Sequence, residues 1–185
     1  MLEELLSILY EKSFRYDPEC GFVLSSGKKS DIYIDAKKTL LTPRGLLLAG
    51  RVFFERLKDE PIEGIGGLTM GADPIAYATS LVSTMEGKPL GVFIVRKEPK
   101  KHGTKRSVES ALPEGAPVVV VDDVVTTGAS TIKAIERARE EGLNVVGALA
   151  LVDREEGGRE NIEEHCPFDA IFKRKDFIEL WKKKG

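Results

Sequence analysis

The run Val118-Val119-Val120-Val121 constrains this chain more than any other feature, because four consecutive apolar residues without polar alternation suit a strand buried on both faces. Two further short apolar pieces, Gly64 to Leu68 and Val92 to Val95, and a longer one, Val145 to Val152, share that character. Between them lie helix signals. Asp73-Pro74 opens a helix running toward Gly87, and another spans about Ala129 to Glu141 and is closed by Gly142. Strand and helix alternate, so the spacing predicts an α/β fold: a mostly parallel central sheet with helices on both sides.

The flanks read differently. Leu2, Leu5, Leu6 and Leu9 recur at helical spacing and predict an amphipathic first helix. Gly21 to Leu24 and Asp31 to Asp35 are strand-like pieces around a polar, turn-rich link, which predicts a hairpin. Thr42 before Pro43 is a hydroxyl cap followed by a fixed φ, the start of a helix with Leu46, Leu47, Phe53, Phe54 and Leu57 on its apolar face. Near the end Asp176 can cap a short helix, Phe177 to Lys184. The reading is one domain over 1–185, with a core at about 41–172 and a small subdomain built from about 1–40 and the last helix.

Composition narrows the function. With 185 residues and 42% hydrophobic content there is material for one core. The 28 Lys and Arg nearly balance 30 Asp and Glu, so no global field recruits nucleic acid or a membrane. The apolar run from Val145 to Val152 is far short of the ~18 residues of a membrane span, and Glu3 and Glu4 stand where a secretory signal carries positive charge. A soluble, cytoplasmic protein is expected. Cys20, Cys166 and His165 form neither a disulfide framework nor a metal-ligand spacing.

In open parallel sheets, ligands bind beyond the carboxyl ends of the strands. Four loops therefore matter. After the four valines come Asp122-Asp123-Val124-Val125-Thr126-Thr127-Gly128-Ala129-Ser130. Adjacent carboxylates repel and need an electropositive or hydroxyl-rich neighbour. The residues that follow are small or hydroxylated and lead into a helix N-terminus, whose backbone N–H groups can wrap a phosphate. Acceptors followed by donors match a sugar phosphate, although two such acids can also be plain capping or turn residues. The whole run resembles the phosphoribosyl pyrophosphate (PRPP) motif of the type I phosphoribosyltransferases, and that resemblance implies their fold with a small N-terminal hood. It implies PRPP contacts from Asp122, Asp123, Val124, Val125, Thr126, Thr127, Gly128, Ala129 and Ser130, with the two acids orienting the ribose.

The loop after Val95 runs Arg96-Lys97-Glu98-Pro99-Lys100-Lys101-His102-Gly103-Thr104-Lys105-Arg106, six cations with one acid and no hydrophobic anchor before Val108. It is either a solvated surface loop or a lid drawn to a polyanion. Arg-Lys-x-x-Lys-x-His-Gly here is similar to the catalytic loop of the orotate phosphoribosyltransferases. By that likeness Arg96, Lys97, Lys100 and His102 contact PRPP or pyrophosphate, Lys100 and His102 join Asp122 and Asp123 as catalytic residues, and the loop reaches the neighbouring subunit of a homodimer.

Gly66 to Asp73 lacks the Lys-Ser/Thr of a P-loop, which excludes a P-loop NTPase, and leaves a tight or anion-approaching turn. Some relatives carry a lysine where Gly71 stands, and another where Ser25 stands. Asp153-Arg154 follows the last long strand. Arg154 is either a surface ion-pair partner or, by the family likeness, the residue on orotate, where a guanidinium fork suits a planar ring with a carboxylate. The likeness also places Thr126 at the orotate and implies orotate and PRPP as substrates. No protein metal site is expected, and Mg²⁺ is expected to arrive on PRPP. A transferase for another base has the same sugar phosphate loop. A nucleic-acid-binding regulator needs a reading face that the N-terminal segment does not supply.

Overall fold

The structure, a computed structural model, describes residues 1–19, 21–23, 29–98 and 107–184. Its centre is a six-stranded sheet. In chain order its strands are β5 (Gly64–Leu68), β6 (Gly91–Val95), β7 (Val108–Ser110), β8 (Pro117–Val125), β9 (Asn144–Asp153) and β10 (Phe168–Lys173). Their spatial order is β10-β9-β8-β5-β6-β7, and every pairing is parallel except β6 with β7. From β5 the chain steps one way to β6, then returns to β8 on the other side, so the topology reverses between β5 and β8. A crevice for ligands opens at such a point.

Alternation along the strands explains the valine run. Val119 and Val121, with Ile65, Leu149 and Leu151, join one core with α3 (Pro43–Leu57) and α4 (Asp73–Met85). Val118 and Val120, with Phe93, Val95 and Ala148, join a second core under α5 (Ala129–Glu140) and α6 (Gly158–Glu163). Successive side chains of a strand face opposite ways, so an uninterrupted apolar strand feeds both layers.

The flanking elements come from the two ends of the chain. They are α1 (Leu2–Ser13), β1 (Phe14–Tyr16), β2 (Phe22–Val23), β3 (Lys29–Ser30), β4 (Ile32–Ile34), α2 (Lys37–Leu40) and α7 (Arg174–Lys184). Leu5, Leu9, Phe14 and Phe177 are buried together, and the Phe14 and Phe177 rings stack at 5.3 Å. Thr42 caps α3 as expected, its hydroxyl accepting from the Gly45 N–H.

Three expectations need correction. The Asp31 to Asp35 piece does not pair with the strand around Phe22; β2 pairs with β3, and β4 pairs with β1. Second, β8 does not end at Val121. It runs through both acids, because β9, at ten residues against nine, is long enough to pair with it as far as Val125 opposite Asp153, keeping the backbone bonded. Third, α7 begins at Arg174. Asp176 lies inside its first turn and reaches back to accept the Lys173 N–H at 2.7 Å, the returning half of a capping box.

Candidate active site

Asp122 and Asp123 are neighbours on a strand, so their side chains leave on opposite faces. Asp122 turns toward α5, where Thr131 donates its hydroxyl to Oδ2 at 2.8 Å. Asp123 turns toward the N-terminal elements, where Lys37 Nζ lies 3.5 Å from Oδ2 and 3.1 Å from Asp35. The hydroxyl donor and the cation that adjacent acids require are both present, one for each acid. Both carboxylates are buried. Burial, and then the charge of Asp123, push the Asp122 carboxyl up to about 7, against the pull of Thr131 and of the Asp123 N–H. Burial works to lower Lys37, but Asp123 and Asp35 outweigh it and hold its ammonium above the usual value.

After Val125 the chain turns into the cradle. Gly128 has φ +81°, and a Cβ there would stand 2.9 Å from Ile162 and 3.0 Å from the Gly158 carbonyl, so glycine is required twice over. No side chain caps α5. Its N-terminal N–H groups open into a cavity of about 520 Å³ lined by Tyr33, Ile34, Lys37, residues 122–131 and Arg154. The β5–α4 turn closes on the same acids: a Cβ on Gly71 would lie 2.6 Å from Asp123 Oδ1 and 3.1 Å from Asp122 Oδ1. That contact explains glycine at 71, since any side chain there would displace the carboxylates.

Arg154 is only 4% exposed. Its N–H bonds the Val125 carbonyl at 2.9 Å, which ties the Asp-Arg loop to the end of β8. Its Nη2 faces Ser30 Oγ at 2.8 Å, the Ile32 carbonyl at 3.1 Å and Glu156 Oε1 at 2.7 Å. The surface reading of Arg154 is thereby excluded.

The cavity thus gathers Asp122 to Ser130 and Arg154. Arg96 and Lys97 do not line it. Arg96 pairs with Glu109 at 2.9 Å, and α5 holds the base of the basic loop. Arg137 donates to the Arg96 carbonyl, and Lys133 donates to the Lys97 carbonyl at 3.2 Å. Lys100, His102, Ser25 and Cys20 lie outside the described residues. Sequence reasoning missed Lys37, Tyr33 and Ile34, whose place in the cavity depends on how the N-terminal elements fold over β8. The one available signal was the need of two adjacent acids for a cation.

Among the described residues no group of three or more His, Cys, Asp or Glu side chains could hold a metal, and no helix is long and apolar enough to cross a membrane. The donors present fit a hard divalent ion carried on a substrate's phosphates, which asks a protein for one or two carboxylates at most.

A model of the phosphoribosyl transferase domain matches residues 65–172, the stretch that carries β5 to β10, the acid pair and the cradle. Fold and site together define a phosphoribosyltransferase. Across 177 residues the chain is 48% identical to the orotate phosphoribosyltransferase of Aquifex aeolicus, covering 95% of this chain and 97% of that protein. The solved structure of the Mycobacterium tuberculosis orotate phosphoribosyltransferase with Fe(III) dicitrate superposes with a TM-score of 0.81 at 34% identity, over 95% of this chain and 98% of that one. The same enzyme in complex with PRPP gives a TM-score of 0.77 at 32% identity, with 95% and 98% coverage. This chain belongs to the orotate phosphoribosyltransferase family.

Proposed function

We propose that this protein transfers the phosphoribosyl group of PRPP to orotate, giving orotidine 5′-monophosphate (OMP) and pyrophosphate, in pyrimidine nucleotide synthesis. The observation that carries the reading is one cavity holding three complementary parts: the acid pair, the uncapped α5 N-terminus and the buried Arg154. The order fits a nucleotide. The N–H groups around Thr126, Thr127, Gly128, Ala129 and Ser130 receive the 5′-phosphate, with Val124 and Val125 setting the wall. Asp122 and Asp123 take the ribose hydroxyls, Asp122 able to donate as well as accept because its proton is held to about pH 7. Arg154, with Thr126 beside it, takes the carboxylate and carbonyl oxygens of orotate.

When bound, Mg²⁺ offsets diphosphate charge. The cationic loop supplies the rest through Arg96, Lys97, Lys100 and His102, with Lys100 and His102 facing the departing group. As the bond from C1′ to the diphosphate oxygen breaks, its electron pair leaves with the diphosphate; a ring nitrogen of orotate gives the pair that forms the new C1′–N bond and sheds its proton, which the departing diphosphate or water takes up. No covalent enzyme intermediate is required. The N-terminal elements and α7 form a hood over the base, and Lys37 reaches from it to the acids.

The same reading makes the protein a cytoplasmic homodimer whose basic loops cross to the partner's cavity. Two observations support pairing. Arg96 and Lys97 stand outside the cavity of their own chain, and α4 exposes Tyr77, Leu81 and Met85 in one stripe, Leu81 by 69% and Met85 by 82%. The test of function is pyrophosphate release from Mg-PRPP with orotate, adenine, hypoxanthine or uracil as acceptor. Turnover with orotate alone is expected; preference for another base overturns the reading.

A further inference from the structure

Arg154 already holds a carboxylate. Its Nη2 carries two protons yet has three acceptors in reach, and the shortest contact, 2.7 Å, is to Glu156 Oε1. Ser30 accepts from Nη2 and donates to the same Glu156 oxygen at 3.2 Å. Nε is buried and has no hydrogen-bond partner. A guanidinium presents two forks to a carboxylate, Nη1 with Nη2 and Nε with Nη2; its third edge is closed by Cδ. Both forks need a proton of Nη2, one proton to each fork, and three acceptors already compete for those two protons. A ligand carboxylate that docks bidentately on Arg154 must therefore displace one of them, and Glu156 is the one that is charged and has water to move into.

The loop is built to hold Glu156 there. Glu155 has φ +55°, its N–H bonds Asp153 Oδ1 at 2.8 Å, and its carboxylate accepts from the Lys175 N–H at 3.2 Å. The chain reverses at 155 and brings the next side chain back to Arg154. The Glu156 side chain is 26% exposed against 5% for Arg154, so the acid has water to move into and the arginine does not.

We infer that Glu156 is a resident carboxylate that the carboxylate of the base must displace from Arg154, and that by retaking this position it limits affinity and lets the nucleotide leave. The inference rests on orotate as the base. It makes Glu156 a positioning residue that tunes specificity, since only a carboxylate-bearing ligand gains from the exchange. The apparent affinity of such a ligand is reduced by the fraction of sites in which Arg154 is already taken.

Glu156→Gln keeps the shape and weakens the hold, because the amide oxygen still accepts from the guanidinium but the attraction between opposite charges is gone. The variant is expected to lower the orotate KM and the OMP inhibition constant each by at least threefold. The PRPP KM and the inhibition constant of uridine 5′-monophosphate, which differs from OMP only by the carboxylate, stay within twofold. A merely structural role moves all four. An orotate KM that is unchanged or raised overturns the inference. Wild-type protein that fails to turn over orotate overturns the underlying reading as well. Should the variant not fold, a crystal structure of the wild-type protein with orotate decides: Glu156 is expected beyond hydrogen-bond distance of Nη2, and an intact Arg154–Glu156 pair beside bound orotate contradicts the exchange.

Discussion

Asp122 and Asp123 are chain neighbours whose carboxylates answer to opposite sides of the sheet, one to Thr131 on α5 at 2.8 Å and the other to Lys37 of α2 at 3.5 Å. The acid pair thereby couples the start of α5 to the N-terminal elements.

Lys37→Met removes the cation facing Asp123. The pair is half-exposed on the lysine side, so its direct contribution is about 1 kcal/mol or less. The KM for PRPP is expected to rise about three- to fivefold, since the carboxylates then face the phosphates uncompensated. A PRPP KM that stays within twofold of wild type in steady-state kinetics contradicts this account of Lys37.

The raised Asp122 carboxyl makes a signed statement about stability. In the unfolded chain it ionises near 3.8, while in the folded protein it keeps its proton to about 7. Between those values the folded state binds more protons, so this group's contribution to stability falls as the pH rises, by up to ~1.4 kcal/mol for each unit of displacement. Asp122→Asn preserves an acceptor for Thr131 and removes the ionisation. Its melting temperature relative to wild type is expected to climb from pH 5 to pH 8, with a gain of about 1–3 kcal/mol at the upper end and severe loss of activity. A difference independent of pH, measured by thermal unfolding, contradicts the assignment.

Leu81→Glu places a charge in the middle of the exposed α4 stripe. Burying an unpaired charge in an interface is prohibitive, so on the proposed pairing sedimentation is expected to show dimer for wild type and monomer for the variant. Turnover should fall with it, as the proposed action of the basic loops in trans requires. A fully active monomer contradicts the shared site.

Two variants separate the two substrates. Lys100→Ala should lower kcat more than it weakens PRPP binding, by ~3 kcal/mol in transition-state stabilisation. Arg154→Ala should raise the orotate KM at least tenfold and spare PRPP affinity. Equal loss for both ligands in either variant, read by steady-state kinetics, contradicts the division of labour.

Much of this was legible in the chain. Apolar runs without alternation announced the buried parallel strands, Thr42-Pro43 announced a helix start, and the order of acids, hydroxyls and glycine announced the cradle. What stayed hidden was non-local. The end of β8 depends on the length of β9, which no signal in β8 itself reveals. Strands of two or three residues, such as β1 and β4, carry too few side chains for a period to show, so the choice of pairing partner was misread. Lys37 and Glu156 gained their roles only when the N-terminal elements folded across the sheet and the chain reversed at Glu155.

The most direct test is a crystal structure with OMP bound. The 5′-phosphate should rest on the N–H groups of residues 127–130, the ribose hydroxyls on Asp122 and Asp123, and the base carboxylate on Arg154. A nucleotide bound outside this cavity, or bound with its base away from Arg154, contradicts the account.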